Sequence, residues 1–181
     1  MEKSKGRKLR MEELGRKTVE QFGDSAKLPV TLVLDNIRSL HNVGSVFRTA
    51  DAFCVEGIVL CGITARPPHR DIQKTALGAT ESVHWEYAAS TADAVLRLRE
   101  KGYRILGVEQ VSGSTKLQKL DLPMGMKTAL VFGNEVSGVD QSVLDLCDGF
   151  VEIPQTGTKH SLNVSVSVGI VLWELFRTEG A

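Results

Sequence analysis

Ser161-Leu162-Asn163-Val164-Ser165-Val166-Ser167-Val168-Gly169-Ile170-Val171-Leu172-Trp173 is the stretch on which the fold turns, because it reads two ways. Leu162, Val164, Val166, Val168 and Ile170 alternate with polar or small residues, the period of a half-buried strand. Val164, Val168, Val171, Leu172 and Leu175 instead recur at helical spacing. In that reading Ser161, Ser165 and Gly169 form a row of small residues four apart, which lets a helix approach a neighbour closely. A further strand would need partners on a sheet, and β-branched valines are modest helix formers. Local pattern leaves both readings open. The stretch carries no acid or base, but it is too short to span a bilayer.

Upstream of it, short runs rich in β-branched or aromatic residues recur at Val30–Leu34, Gly57–Cys61, Val83–Tyr87, Arg104–Val108, Thr128–Phe132 and Gly149–Ile153. Several are almost continuously apolar, as parallel strands covered on both faces must be. Helical patterns lie between them. Val43, Val46, Phe47, Ala50 and Cys54 make one stripe. Ala92, Val95 and Leu96 make another, with Ser90 and Thr91 as candidate caps and Gly102 as a stop. The expected class is α/β, a mostly parallel sheet of about six strands with helices on both faces.

The 181 residues fit one domain that buries roughly 70% of its extended-chain surface. Lys plus Arg equals Asp plus Glu at 22 each, which argues against a binder cationic over its whole surface but not against a local basic patch. Residues 1–29 read as a basic helical extension ahead of the domain at 30–181. Lys3, Lys5, Arg7, Lys8 and Arg10 crowd its start, and Met11, Leu14, Thr18 and Phe22 give it a weak stripe. Cys54, Cys61 and Cys147 form no CxxC pair, and Cys54 and Cys61 read as small buried hydrophobes. An odd cysteine count and a charged start with no apolar core after it point to the cytoplasm, with no membrane segment and no metal.

GxGxxG, HExxH, GxSxG and a full phosphate loop are absent. His41, His69, His84 and His160 are widely separated. What stands out is three stretches that bring polar or glycine-bearing loops beside apolar strands: Asp35 to Arg48, Leu130 to Val139, and Val151 to Ser165. In open parallel sheets ligands sit outside the carboxyl ends of strands, so these loops are where a site belongs.

Asn42-Val43-Gly44 with Arg48, Phe132-Gly133-Asn134-Glu135 with Gly138, and Ile153-Pro154 through Ser161-Leu162-Asn163-Val164-Ser165 resemble, in order, the three motifs of the SpoU (TrmH-like) branch of the SPOUT RNA methyltransferases. The likeness covers about residues 30–176. It implies a SPOUT fold with a C-terminal deep trefoil knot, a homodimer, and methyl transfer from S-adenosyl-L-methionine to a ribose 2′-hydroxyl of RNA. It also implies that Leu162 onward is the last helix, with Ser161, Ser165 and Gly169 at a subunit contact.

By the same resemblance Leu130, Gly133, Ile153, Leu162 and Asn163 bind the cofactor, largely through backbone groups. Core packing is the rival reading for the apolar ones, and turn closure for Gly133. Arg48 is the first choice for catalysis. Its guanidinium would clamp a phosphate and steady charge on the 2′-oxygen, a surface ion pair with Asp51 being the alternative. Asn42 orients Arg48 or the ribose, or caps a helix. Glu135 fixes Arg48 or the first loop, and Ser161 and Asn163 organise the third, Ser161 otherwise being a cap. Arg66, His69, Arg70 and Lys74 read as a basic loop for phosphates, extended by Lys116, Lys119 and Lys159. No array of aromatics suggests a stacking platform. Gln155 stands where many relatives have methionine, and neither an L30e-like domain nor a long C-terminal extension is visible. tRNA is favoured over rRNA. An inactive knotted RNA-binding protein and, further off, a Rossmann-like small-molecule enzyme are the alternatives.

Overall fold

A computed structural model describes residues 6–178; Lys3, Lys5 and residues 179–181 lie outside the described residues. Among the described residues seven parallel strands form one sheet: β1 (Leu28–Asp35), β2 (Val55–Cys61), β3 (Trp85–Ala88), β4 (Arg104–Val108), β5 (Thr115–Lys116), β6 (Thr128–Phe132) and β7 (Gly149–Glu152). Their order is β3-β2-β1-β6-β4-β7-β5. Each of the six expected runs holds a strand, though β3 starts only at Trp85, Val83 closing the preceding short helix, and β7 stops at Glu152. The seventh, β5, is a polar pair that no apolar pattern announces.

Why the strands read as continuously apolar follows from where alternate residues go. Leu32, Leu34, Leu60, Leu106, Leu130 and Phe132 enter one core, while Val33, Val59, Ile105, Ala129 and Val131 enter the other. Each face of the sheet therefore has its own hydrophobic layer. The first is covered by α2 (Leu40–Ala52), α3 (Arg70–Ala76), α4 (Ala79–Ser82) and α7 (Val164–Thr178). The second is covered by α5 (Thr91–Glu100) and α6 (Gln141–Leu144). The short α1 (Val19–Asp24) sits beside α4.

The ambiguous stretch is a helix. In α7, Val164, Val168, Val171, Leu172 and Leu175 are buried, each worth about 1.5–3 kcal/mol of transfer free energy. A strand would have sent Val166 and Ile170 inward, and both remain exposed on the helix. Asn163 starts the helix by accepting from the Ser165 N–H at 2.9 Å, so it, rather than Ser161, is the cap. Ser161 lies in the preceding loop, outside the helical row. Arg177 is inside the helix.

Several local expectations shift. The buried stripe of α5 is Thr91, Ala94, Val95 and Leu98, while Leu96 faces water. Ser90 is its cap, accepting from the Asp93 N–H. The residues from Arg70 form α3 rather than a loop. In the N-terminal segment Gly15 adopts a left-handed conformation between a short turn and α1, so no single helix joins Leu14 to Phe22; only Phe22 is buried in α1. Cys61 is buried, and desolvation pushes its thiol up to about 12. Cys54 is only half-buried, at a left-handed turn.

Candidate functional site

The chain runs outward from β1 through β2 to β3, then restarts on the other side of β1, where β6 fills the gap between β1 and β4. A change of direction of this kind opens a crevice at the carboxyl ends of the strands. A cavity of about 550 Å³ lies there. Glu109 and Gln110 after β4, Gly133 to Gly138 after β6, and Ile153 and His160 to Asn163 after β7 line it.

Glu135 ties the loops together. Its carboxylate accepts from the backbone N–H groups of Arg38 (3.0 Å) and Ser39 (3.1 Å) and from Asn42 Nδ2 (3.1 Å). Arg38 and Ser39 lead into α2 and Asn42 lies in its first turn, so the carboxylate sits at the helix N-terminus, where the dipole favours a negative charge. Asn42 Oδ1 in turn accepts from Asn163 Nδ2 at 3.0 Å. One hydrogen-bonded path therefore joins all three loops, from residue 38 to residue 163. Desolvation alone would raise the Glu135 pKa. The hydrogen bonds from the Arg38 N–H, its own N–H, Asn42 and the Ser39 N–H outweigh that, and the carboxyl lies below its usual range.

Asn42 thus bridges two loops instead of capping α2. Ser39 is the cap, accepting from the Asn42 N–H at 3.3 Å. Glu135 fixes the first loop and makes no bond to Arg48. Arg48 is exposed and has no hydrogen-bond or ion-pair partner among the described residues. The pairing with Asp51 does not form; Asp51 instead accepts from Ser82 Oγ at 2.5 Å. Gly133, Ile153, Ser161, Leu162 and Asn163 line the cavity, whereas Leu130 is in the core behind it.

Two of the motif glycines, Gly133 and Gly44, have definite reasons. A Cβ on Gly133 would run into the backbone of Gly138 and Val139, so turn closure alone demands glycine there. One on Gly44 would strike Ile72 and Thr75, where α2 and α3 meet. Of the basic residues, Lys74 pairs with Asp71 at 2.7 Å, and His69 caps α3 by accepting from the Asp71 N–H. Lys159 is exposed within the third loop.

Three organising residues escaped sequence reading. Asp35, buried at the end of β1, accepts from Thr91 Oγ1 (2.5 Å), Asn36 Nδ2 (2.9 Å) and the Asp140 N–H (3.2 Å). Glu109 accepts from the Val139 N–H at 3.1 Å, and Gln110 Nε2 donates to the His160 carbonyl at 2.9 Å. A lone carboxylate ending an apolar strand was the available signal for Asp35. Among the described residues, no group of three or more His, Cys, Asp or Glu is placed to hold a metal, and no helix is long and apolar enough to cross a membrane.

Comparison with known proteins places this geometry. Residues 29–173 match the model of the SpoU rRNA Methylase family. A Staphylococcus saprophyticus protein named for the TrmH family of tRNA/rRNA methyltransferases is 32% identical over 151 residues, covering 83% of this chain and 59% of its own length. The chain thus spans about three-fifths of that relative. The AdoMet-bound rRNA methyltransferase of Sinorhizobium meliloti superposes with a TM-score of 0.78 at 26% identity, covering 90% of this chain and 60% of that one. A structure described by the 2-OH methylation of C/U34 on tRNA gives a TM-score of 0.72 at 25% identity, covering 83% of this chain and 97% of that one. With its three motif loops joined at the carboxyl ends of a SPOUT sheet, the chain belongs to the SpoU (TrmH-like) family of RNA methyltransferases.

Proposed function

We propose that this chain is an S-adenosyl-L-methionine-dependent RNA 2′-O-ribose methyltransferase acting on tRNA. The observation that carries the reading is the hydrogen-bonded path Ser39–Glu135–Asn42–Asn163, which ties the first-motif segment to the two loops that line the cavity. The cavity fits the donor. Its volume of about 550 Å³ is in the range of small-molecule sites, and Ile153 and Leu162 offer apolar contact beside the backbone groups of the loops. Gly133, Ile153, Leu162 and Asn163 hold the cofactor, with Leu130 supporting the wall from the core. When bound, S-adenosyl-L-methionine supplies a methyl group on a sulfonium.

The protein's own residues position the nucleophile. Arg48 clamps the phosphate beside the target ribose and stabilises charge developing on the 2′-oxygen. A guanidinium does not release its proton, so the hydroxyl proton leaves to a phosphate oxygen or to solvent. Glu135 keeps the start of α2 in place, and Ser161 and Asn163 order the third loop. The unpaired Arg48 and the outward apolar face of α7 support a homodimer. Val166 and Trp173 on that face are 49% and 56% exposed. The knot around the third loop and a cytoplasmic location belong to the same reading, with residues 30–181 as the catalytic domain and 1–29 as its extension.

The tRNA structure named above supports both the 2′-oxygen and tRNA. The Sinorhizobium neighbour favours rRNA as the second reading. The test is methyl transfer from labelled donor to separated tRNA and rRNA from a strain lacking the gene, followed by mapping of the modified nucleotide. Label on a tRNA ribose is expected. Label confined to rRNA overturns the substrate, and label on a base overturns the chemistry.

A further inference from the structure

Beyond the cavity, at the same carboxyl-end rim, an aromatic ring and a guanidinium are stacked in water. Tyr87, near the end of β3, is 39% exposed, and Arg66 lies over its ring with Cζ 4.3 Å from the centroid. Ile63, 68% exposed, belongs to the same loop as Arg66. One face of the guanidinium is covered by the ring. Arg66 has no ion-pair or hydrogen-bond partner among the described residues.

This stack is keyed to the cavity. Tyr87 Oη donates to the Gly62 carbonyl (3.1 Å), and the Ile63 N–H donates to Asn36 Oδ1 (3.1 Å). The Asn36 carbonyl accepts from Asn134 Nδ2 (2.7 Å), and Asn134 lines the cavity. Thr64 Oγ1 pins the same loop by accepting from the Ile37 N–H (2.9 Å) and donating to the Leu34 carbonyl (3.1 Å). β2 and β3 are the next strands out from β1, so the strand that carries Tyr87 runs about 10 Å from the first motif's strand. A surface cation–π pair kept only for stability contributes about 0.5–1 kcal/mol and needs no such tether. A preorganised guanidinium plane with an open face is what unstacked bases bind, its charge serving the adjoining phosphate.

The geometry points to the Arg66–Tyr87 stack as a platform for a base flanking the methylated nucleotide, so that the substrate presents unpaired nucleotides rather than duplex at the site. This rests on the RNA methyltransferase reading and extends it to the substrate's conformation.

The test compares wild type, Arg66→Ala and Arg66→Lys against two probes. One is a single-stranded oligoribonucleotide carrying 2-aminopurine; the other is a fully paired duplex of the same sequence. Wild type is expected to quench the fluorophore and to bind the single strand at least about tenfold more tightly than the duplex. Arg66→Ala loses the quenching and about tenfold in affinity. Arg66→Lys recovers affinity through its charge but not the quenching, with thermal midpoints unchanged. Unaltered quenching and affinity in Arg66→Ala overturn the platform, as does equal binding of duplex and single strand. Calorimetry with S-adenosylhomocysteine on the same preparations separates the two claims: a wild type that ignores it sinks the methyltransferase reading and leaves the fluorescence result to stand alone.

Discussion

The sheet has a cleft at each end, and they differ in a way that volume does not show. The carboxyl-end cavity measures about 550 Å³ and the amino-end cleft about 490 Å³, the latter lined by Glu56, His84, Glu86, Tyr103 and Lys127 among others. Both mix charged and apolar walls. At the carboxyl end several polar wall groups are committed to other segments: Glu135 to Arg38, Ser39 and Asn42; Asn163 to Asn42; Gln110 to His160. At the amino end Glu56 Oε2 is buried without a hydrogen-bond partner among the described residues. Cross-linking of distant segments, rather than size, marks the place where geometry is maintained for chemistry.

That contrast can be broken by substitution. Arg48→Ala should show the largest effect, a loss of about 10²–10³ in methyl transfer with donor binding and thermal midpoint retained. Full activity would remove Arg48 from the mechanism. Gly133→Ala comes next: the added methyl meets backbone that cannot give way, so calorimetry should show donor affinity down at least about tenfold while far-ultraviolet circular dichroism stays native. Asn163→Ala removes a helix cap and the bond to Asn42 together, for about 1 kcal/mol by denaturant titration and a smaller fall in donor affinity.

Glu135→Gln sharpens the comparison through pH. The folded carboxyl lies below its unfolded value, so its contribution is fully present above the unfolded pKa of about 4.3 and fades as pH falls through the folded value. The variant should be less stable at pH 6, by no more than about 1 kcal/mol for so exposed a group, and the two melting curves should converge toward pH 3. An equal gap at both pH values would contradict that role. Smallest of all, Glu56→Gln at the other end should leave methyl transfer within about twofold; a large loss would mean that the amino-end cleft serves the reaction.

How much of this was legible depended on whether local pattern carried the information. The six main strands were readable because burial on both faces leaves apolar runs such as Val30–Leu34 and Thr128–Phe132 with no competing period. The seventh was not, since Thr115–Lys116 earns its place by pairing with β7. The last helix was undecidable locally: its alternating valines fit a strand, and only Leu172 and Leu175 reaching the core with Val164 and Val168 settle the matter. Site residues were visible as motifs, their partners were not. Nothing in the sequence pairs Glu135 with two backbone N–H groups some 96 residues away, or sets Arg66 over Tyr87. Gly133 was visible too, and its own turn already requires a glycine there.

The central claim is that the loops at residues 133–138 and 153–163 grip a methyl donor. A crystal structure of the protein with S-adenosylhomocysteine tests it most directly. The ligand is expected in the carboxyl-end cavity, against Ile153 and Leu162 with its polar edge on the loop backbone. Ligand bound in the amino-end cleft, or a saturated crystal with that cavity unchanged and empty, would contradict it.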